Sequence, residues 1–180
     1  LNYKDAMACQ GHPGVVRSFP HVPGIDCAGT VVASDSPSYA IGDEVLVTGY
    51  ELGAERWGGF AAFVRVPAEW VVRLPRPLSL REAMIYGTAG FTAAQCVDAI
   101  ASRGIGPERG PVVVTGATGG VGSIAVAILA KLGYNVAAVT GKHDQHDWLR
   151  RLGATAILGR NEMDDTSSRP LLPARFAAAI

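Results

Sequence analysis

A glycine-rich stretch offers the clearest chemistry in this 180-residue sequence. Residues 114–122 read Val-Thr-Gly-Ala-Thr-Gly-Gly-Val-Gly, which fits the pattern A-x-G-x-x-G with Ala117, Gly119 and Gly122 at the three spaced positions. In such a loop the first position makes a tight turn, the second lets the backbone approach a pyrophosphate, and the third lets a helix pack closely on a strand. The helix N-terminus then offers N–H groups to the phosphates. A plain glycine-rich turn is the alternative, but the flanking elements favour dinucleotide binding. We predict contacts from Thr118, Gly119, Gly120 and Val121.

The residues after the next strand indicate which dinucleotide binds. A sheet that binds NAD usually places Asp or Glu about 20 residues past the loop, where the carboxylate holds the ribose 2′-hydroxyl. Here the strand runs into Thr140-Gly141-Lys142, and no carboxylate appears before Asp144. A hydroxyl and a cation suit a 2′-phosphate, and Arg160 offers a second cation. The alternative is that Lys142 and Arg160 are solvated surface charges. We predict NADPH as the cofactor.

The elements around these residues alternate between strands and helices. Continuous apolar runs predict buried strands, and helix formers followed by glycine predict helices. The predicted strands cover residues 111–115, 136–139 and 156–158, and the predicted helices cover 121–132 and 146–152. This order is the mononucleotide-binding half of a doubly wound parallel sheet. We identify no second half before the chain ends, and the polar tail over 161–169 is typical of a loop. We therefore expect a piece of a longer protein.

The first half of the chain is typical of a small β-domain, either barrel-like or a sandwich. Short apolar runs separated by glycine and proline turns predict strands over residues 29–33, 44–48, 60–66 and 70–74. Ser79 and Glu82 then form a capping-box pattern, which predicts a helix that begins near Leu80.

Composition excludes several classes of partner and site. Sixteen basic residues balance sixteen acidic ones, with no Lys/Arg run, which argues against nucleic acid or an anionic membrane as the main partner. The longest apolar stretch, over 124–132, is too short to span a bilayer, and the sequence begins without a leader-like run. Three scattered cysteines and four histidines give no disulfide framework and no zinc-ligand cluster. We expect a reducing, cytoplasmic setting.

Several strings occur in an order that resembles the zinc-independent medium-chain dehydrogenase/reductase superfamily, in its quinone oxidoreductase and acrylyl-CoA reductase branch. Besides the glycine-rich stretch, they cover residues 1–5, 23–31, 42–45, 57–61 and 87–93. The resemblance implies an α/β protein with a GroES-like, β-rich catalytic domain over 1–86 that lacks its N-terminal part. It also implies a Rossmann NADP-binding domain over 87–180 that lacks its C-terminal part, with the nicotinamide in a cleft between the domains. We expect a homodimer for the full-length protein.

The resemblance also bears on zinc. Zinc-dependent alcohol dehydrogenases of the superfamily carry a ligand His, followed by Glu, just after the glycine that is Gly24 here. This sequence has Ile25 and Asp26 instead. The segment over 2–5, where those enzymes place a Cys ligand, has no cysteine. Because isoleucine cannot bind a metal, we predict no catalytic zinc.

Without a Lewis acid, the implied reaction is hydride delivery from NADPH to an activated small-molecule acceptor: an enone, a quinone or an enoyl thioester such as acrylyl-CoA. The enolate that forms must be stabilised and protonated. The resemblance places Tyr3 in the cleft, near the nicotinamide, where a phenol can donate to the enolate. Asp26 and Thr88 are secondary candidates for the site. The alternatives are that Tyr3 only packs at a domain edge, that Asp26 only braces the Gly24 turn and that Thr88 only caps a helix. An NADPH-binding protein without turnover is the alternative function.

Overall fold

The computed structural model describes residues 1–164 and 172–180. It divides into two compact units, Leu1–Thr88 and Ala89–Ile180. The α/β fold class is confirmed, because one unit contains an antiparallel sheet and the other a parallel one. The predicted division into a catalytic domain over 1–86 and a cofactor domain over 87–180 stays a prediction about the full-length protein.

The first unit contains a short helix and a three-stranded antiparallel sheet. Its elements are α1 (Tyr3–Cys9), β1 (Asp26–Thr30), β2 (Glu44–Thr48) and β3 (Val72–Arg73), with strand order β1-β2-β3. The register places Asp26 opposite Thr48 at one end of the β1–β2 pair. Its core is formed by Val47, Leu52 and Trp70, and four partly buried side chains pack against it: Cys27, Val64, Val66 and Val71.

The predicted strands of this unit are only partly correct. The strand over 44–48 matches β2, whereas the first strand begins earlier than predicted, at Asp26, and ends at Thr30. The strand predicted over 70–74 is reduced to β3, because the residues just before it, Ala68–Trp70, form a 3-10 turn that buries the Trp70 ring. An apolar run therefore located each strand approximately, but the pairing partner decided its length.

The strand predicted over residues 60–66 is wrong. The N–H groups of Gly58, Gly59 and Phe60 donate to the carbonyls of residues 22–24 at 2.7–3.0 Å. The backbone N–H groups up to Phe60 are therefore paired with residues 22–24. Residues 61–66 have no strand partner in the described part of the chain. A short apolar run predicted a strand here, but without a ladder the segment stays irregular.

Helix α2 (Leu80–Ala101) begins where the capping box predicts. Ser79 N–H donates to Glu82 Oε2 at 2.8 Å, and Glu82 N–H donates to Ser79 Oγ at 3.2 Å. The hydrogen bonds from Ser79 lower the pKa of the Glu82 carboxyl below its ordinary value. The helix is interrupted at Gly87, whose φ of 47° and ψ of −150° are not helical.

The second unit is built on a four-stranded parallel sheet. Its strands are β4 (Val112–Val114), β5 (Val136–Val139), β6 (Ala156–Leu158) and β7 (Ala178–Ala179), and its helices are α3 (Gly120–Lys131) and α4 (His146–Leu152). The bounds of β5, α4 and β6 match the prediction, and those of β4 and α3 nearly do. The core lies where fully buried residues of β4, β5 and α3 meet, among them Val112, Val126 and Leu129.

Strand β7 corrects the expectation that no strand of a second half appears. The strand order is β6-β5-β4-β7, so β7 pairs with β4 on the side away from β5. The order therefore reverses at β4, as it does at the switch point of a doubly wound sheet, where ligands bind. In the tail predicted to be a loop, Arg160–Glu162 form a 3-10 turn, and the predicted loop residues from 165 to 169 lie outside the described residues.

Candidate functional site

The loop between β4 and α3 forms a tight turn. Gly119 N–H donates to the Gly116 carbonyl at 2.8 Å, which closes the turn. Gly116 has a φ of +55°, a left-handed conformation that glycine adopts without steric cost. The sequence assigned the tight-turn position to Ala117, whereas the structure puts the positive φ one residue earlier. Ala117 is fully buried, and its N–H donates to the Val139 carbonyl at 3.2 Å.

Gly122 packs directly over this turn. A Cβ built on Gly122 would lie 2.5 Å from the Gly116 carbonyl oxygen and 2.8 Å from Ala117 Cα. Both are backbone atoms that no rotamer change can move. A side chain here would push α3 away from the turn, which agrees with the packing role that the sequence predicted for this glycine.

The N-terminus of α3 is open to a ligand. Gly119 precedes the helix without a side-chain cap, and the first turn carries no acidic residue. Gly119 and Gly120 are exposed, whereas Thr118 and Val121 are partly buried. The first N–H groups of a helix have no partner within it, and they carry a partial positive charge. The four predicted loop residues thus lie together on one turn that can bind an anion.

The segment after β5 brings two cations to one place. Thr140 Oγ1 accepts from the Lys142 N–H at 3.0 Å, and this bond shapes the turn. A Cβ built on Gly141 would lie 3.5 Å from Arg160 Nε, so the guanidinium rests against this glycine. Lys142 and Arg160 are exposed, and neither forms an ion pair within residues 1–164 and 172–180. Both charges are available to a phosphate.

Thr140 is placed less favourably for a ligand contact than the two cations. Its side chain is only 5% exposed, and its N–H already donates to the Leu158 carbonyl at 3.0 Å. Its clearest role in the structure is to hold the turn that presents Lys142. Direct contact between Thr140 and a cofactor stays a prediction.

The loop and the cation-bearing turn lie at one edge of the sheet. They follow β4 and β5, which are adjacent parallel strands with Val114 opposite Ala138. The hydrogen bond from Ala117 N–H to the Val139 carbonyl joins the two segments. A dinucleotide binds outside the carboxyl ends of such strands, so this edge has the right position and the right charges.

Tyr3 lies in the first unit, as the first residue of α1. Its side chain is 83% exposed. The residue before it, Asn2, caps the helix together with Asp5. Asp5 is 3% exposed; its Oδ2 accepts from Asn2 N–H at 2.7 Å, and its Oδ1 accepts from Ile25 N–H at 2.9 Å.

Asp26 joins the same group of side chains. It is 7% exposed. Its Oδ2 accepts from Asn2 Nδ2 at 2.7 Å, and its Oδ1 accepts from Thr88 N–H at 2.9 Å and from Thr88 Oγ1 at 2.7 Å. The sequence offered Asp26 as a brace for the Gly24 turn, but that turn is held by Asp5 through Ile25. Sequence reasoning did not single out Asn2 and Asp5, although their spacing is that of a capping box.

Other groups near β1 offer less chemistry. Burial raises the pKa of the Cys27 thiol and the charge of Asp26 raises it further, so this thiol is protonated near neutral pH and is a poor nucleophile. Ile25 is buried. Over residues 1–164 and 172–180, no three His, Cys, Asp or Glu side chains are grouped to hold a metal ion. In the same ranges no helix is long and apolar enough to cross a bilayer.

Comparison with known proteins places this fold and sequence in a family. Residues 1–76 match the model of the alcohol dehydrogenase GroES-like domain. The whole chain is 52% identical to acrylyl-CoA reductase AcuI of Ruegeria pomeroyi, of which it covers 54%. It is 48% identical to YhfP of Bacillus subtilis, provisionally named a quinone oxidoreductase, of which it also covers 54%. The chain thus spans about half the length of these curated relatives.

Solved structures agree. The YhdH oxidoreductase of Salmonella enterica, in complex with NADP, matches 99% of this chain at a TM-score of 0.95 and 55% identity, over 55% of its own length. Bacillus subtilis YhfP, with NAD bound, matches 99% of this chain at a TM-score of 0.94 and 49% identity, over 54% of its own length. These matches confirm the predicted resemblance to the zinc-independent medium-chain dehydrogenase/reductase superfamily, in its quinone oxidoreductase and acrylyl-CoA reductase branch.

Proposed function

We propose that the full-length protein is an NADPH-dependent reductase that delivers hydride to an activated C=C bond or to a quinone, with acrylyl-CoA as the thioester candidate. The observation that carries this proposal is the open N-terminus of α3, together with the turn after β5 that bears Lys142 and against which the Arg160 side chain lies. The relatives named acrylyl-CoA reductase and quinone oxidoreductase support the same class of acceptor. The substrate partner is therefore a small molecule.

The second unit has residues that fit the cofactor. The backbone N–H groups at Gly119, Gly120 and Val121 would hold the pyrophosphate, while Lys142 and Arg160 would hold the 2′-phosphate. Because Gly122 has no side chain, α3 packs directly on the turn before it, where a Cβ would clash with the turn backbone. This close packing fixes the position of the loop N–H groups. When bound, NADPH supplies the hydride.

Relatives have been crystallised with different dinucleotides, NADP in one and NAD in another, so the preference of this protein needs its own test. We expect Lys142→Glu in the full-length protein to weaken NADPH binding by about tenfold or more, because a charged hydrogen bond to phosphate is lost and a repulsive charge is added. NADH binding should change much less. Titration of both cofactors against the wild type and the variant gives the measurement.

Lys131→Glu is the matched control for that experiment, because Lys131 is another exposed lysine of the second unit but lies at the C-terminal end of α3, far along the helix from the loop. It should leave the ratio of NADPH to NADH affinity unchanged. Equal affinity of the wild-type protein for the two cofactors would show that the preference for NADPH is wrong.

Tyr3 is the proposed catalytic residue. Hydride addition to the β-carbon of an unsaturated thioester leaves an enolate, whose negative charge needs a donor and whose α-carbon needs a proton. The Tyr3 phenol can supply either, and its high exposure leaves the hydroxyl open to a ligand. A proton-donating role fits a phenol, whose O–H is a hydrogen-bond donor.

The acceptor class is tested by NADPH oxidation in the full-length protein, with acrylyl-CoA and a quinone measured side by side. The proposal predicts turnover with at least one of them, and the ratio of kcat/KM values ranks the two. Tight NADPH binding without oxidation by either acceptor would contradict it and would favour the alternative of a cofactor-binding protein without turnover.

Activity should not require zinc. Ile25 stands where zinc enzymes of the superfamily have a ligand, and its side chain cannot bind a metal. We expect the rate of NADPH oxidation by the full-length protein to be unchanged after treatment with a strong chelator. Activity that disappears with the chelator and returns on addition of zinc would refute this prediction.

We also propose a cytoplasmic homodimer with separate domains over 1–86 and 87–180, and with no membrane or nucleic-acid partner. The balanced charge and the three unpaired, scattered cysteines support this setting. Light scattering on the full-length protein would measure its oligomeric state.

A further inference from the structure

Resting on the proposed role of Tyr3, we propose that Asn2 and Asp26 are positioning residues for it: the Asn2 amide, bound between the carboxylates of Asp5 and Asp26, fixes the first turn of α1 and so directs the Tyr3 phenol. The term amide clamp is used below for the four side chains of Asn2, Asp5, Asp26 and Thr88.

The amide clamp begins with an unusual use of one amide group. Asn2 Nδ2 donates to Asp5 Oδ2 at 3.2 Å and to Asp26 Oδ2 at 2.7 Å. An amide nitrogen carries two hydrogens, so this arrangement uses both. The Asn2 side chain can therefore adopt only the orientation in which its nitrogen faces the two carboxylates. A rotated amide would place its oxygen against a carboxylate.

Hydrogen bonds extend the amide clamp in both directions along the chain. On one side, Asp5 accepts from the Ile25 N–H, just before β1. On the other, Asp26 accepts from both the N–H and the hydroxyl of Thr88. These bonds connect the first turn of α1 to the start of β1 and to Thr88, the residue after the Gly87 interruption. Asp5 and Ile25 are 20 positions apart along the sequence, and Asp26 and Thr88 are 62 apart.

The neighbouring glycine leaves little freedom to the Asp26 carboxylate. A Cβ built on Gly87 would lie 2.5 Å from Asp26 Oδ2. The carboxylate therefore packs against the backbone of Gly87, which has no side chain. The positive φ of Gly87 keeps this backbone out of the helical conformation. Close packing on one side and three hydrogen bonds on the others fix the position of Asp26.

Tyr3 depends on this arrangement because its helix is short. A helix of seven residues does not hold its shape in water by itself, since isolated helices below about 12 residues are marginal. Tyr3 directly follows Asn2 and is 83% exposed, so few packing contacts direct its ring. The backbone of the first turn sets the direction of its Cα–Cβ bond, and the amide clamp holds that turn.

The isosteric change Asp26→Asn tests the proposal. Asparagine at this position can still accept from Thr88 with its oxygen, but its NH2 group then faces the NH2 group of Asn2, so the link to α1 is broken. We expect hydride transfer in the full-length protein to slow by about tenfold to a hundredfold, as for a reacting group misplaced by about 1 Å. The dissociation constant of NADPH should stay within about twofold, because the residues proposed to hold its phosphates lie in the second unit.

A double-mutant cycle with Tyr3→Phe separates positioning from general damage. If Asp26 acts through the Tyr3 hydroxyl, Asp26→Asn should slow the wild type but have little further effect in the Tyr3→Phe background. Equal slowing in both backgrounds would overturn the proposal. If Tyr3→Phe alone had no effect on the rate, the proposed role of Tyr3 would fail instead, so the two failures can be told apart.

Asp43→Asn is the matched control. Asp43 is also a hydrogen-bonded carboxylate of the first unit, paired with Arg73 at 2.7 Å, but it lies next to Glu44, at the opposite end of the β1–β2 pair from Asp26. It should leave the hydride-transfer rate unchanged. If Asp26→Asn does not fold, Thr88→Val and Thr88→Ser replace it: serine keeps the hydroxyl donor to Asp26 and should retain the rate, whereas valine should lose it. Equal rates for these two variants would count against the proposal.

Discussion

Gly122→Ala is expected to lower both the thermal stability of the full-length protein and its affinity for NADPH. The new Cβ would lie 2.5 Å from the Gly116 carbonyl oxygen and 2.9 Å from the Gly116 carbonyl carbon, distances that real Cβ atoms do not reach. Helix α3 would have to move away from the turn, at a cost of about 1–3 kcal/mol in the free energy of unfolding. The same movement shifts the N–H groups that would hold the pyrophosphate, so affinity should fall by about tenfold or more.

Gly29→Ala is the control for that experiment, because a Cβ at Gly29 would meet nothing within 4 Å. It should leave NADPH affinity unchanged. Gly119→Ala is an intermediate case, with a Cβ 3.2 Å from the Gly116 oxygen. Because Gly119 is exposed, this variant should lower NADPH affinity by crowding the phosphate, with a smaller loss of thermal stability than Gly122→Ala. Wild-type affinity and thermal midpoint in Gly122→Ala would show that the loop does not bind the cofactor in the way proposed.

Tyr3→Phe is expected to slow turnover far more than it changes NADPH affinity. The hydroxyl would act on the negative charge that develops as the hydride is transferred, so its removal raises the barrier and leaves the ground state nearly intact. Losing one preorganised donor to an oxyanion costs on the order of 3 kcal/mol at the high end, which corresponds to roughly a hundredfold in rate. Single-turnover oxidation of NADPH in the full-length protein measures it.

Tyr3→Ala completes the comparison. If water or a neighbouring group protonates the enolate, the ring of Tyr3 serves to place the nicotinamide, and alanine should then be far worse than phenylalanine. A Phe variant as fast as the wild type would remove Tyr3 from the catalytic residues. Because Tyr3 is 83% exposed, neither change should lower the thermal midpoint much.

The second unit was predictable because its signals are local. Each strand is a continuous apolar run with a glycine or a polar turn at its end, and the bounds of β5, α4 and β6 follow directly from that pattern. Strand β7 escaped prediction because Ala178–Ala179 is too short to show any period. Only its pairing with β4 identifies it as a strand.

The first unit was less predictable, because its order depends on distant partners. Residues 60–66 form an apolar run typical of a strand, but they pair with no other strand in the described part of the chain. The amide clamp joins Asn2 to Asp26, and Asp26 to Thr88, across 24 and 62 positions. Residue types and local spacing do not predict which residues so far apart in the sequence form hydrogen bonds with each other. A capping pattern at Asn2 and Asp5 is the one local sign that α1 begins there.

The central proposal is that the full-length protein transfers hydride from NADPH to the electrophilic carbon of an activated acceptor. The most direct measurement uses NADPH deuterated at C4 of the nicotinamide, prepared in both stereochemical forms, with acrylyl-CoA and the full-length protein. The account predicts propionyl-CoA with one deuterium at the β-carbon from one of the two forms, while the α-carbon takes its hydrogen from solvent. Product without deuterium at the β-carbon, or bound NADPH that never reacts with acrylyl-CoA or a quinone, would contradict it.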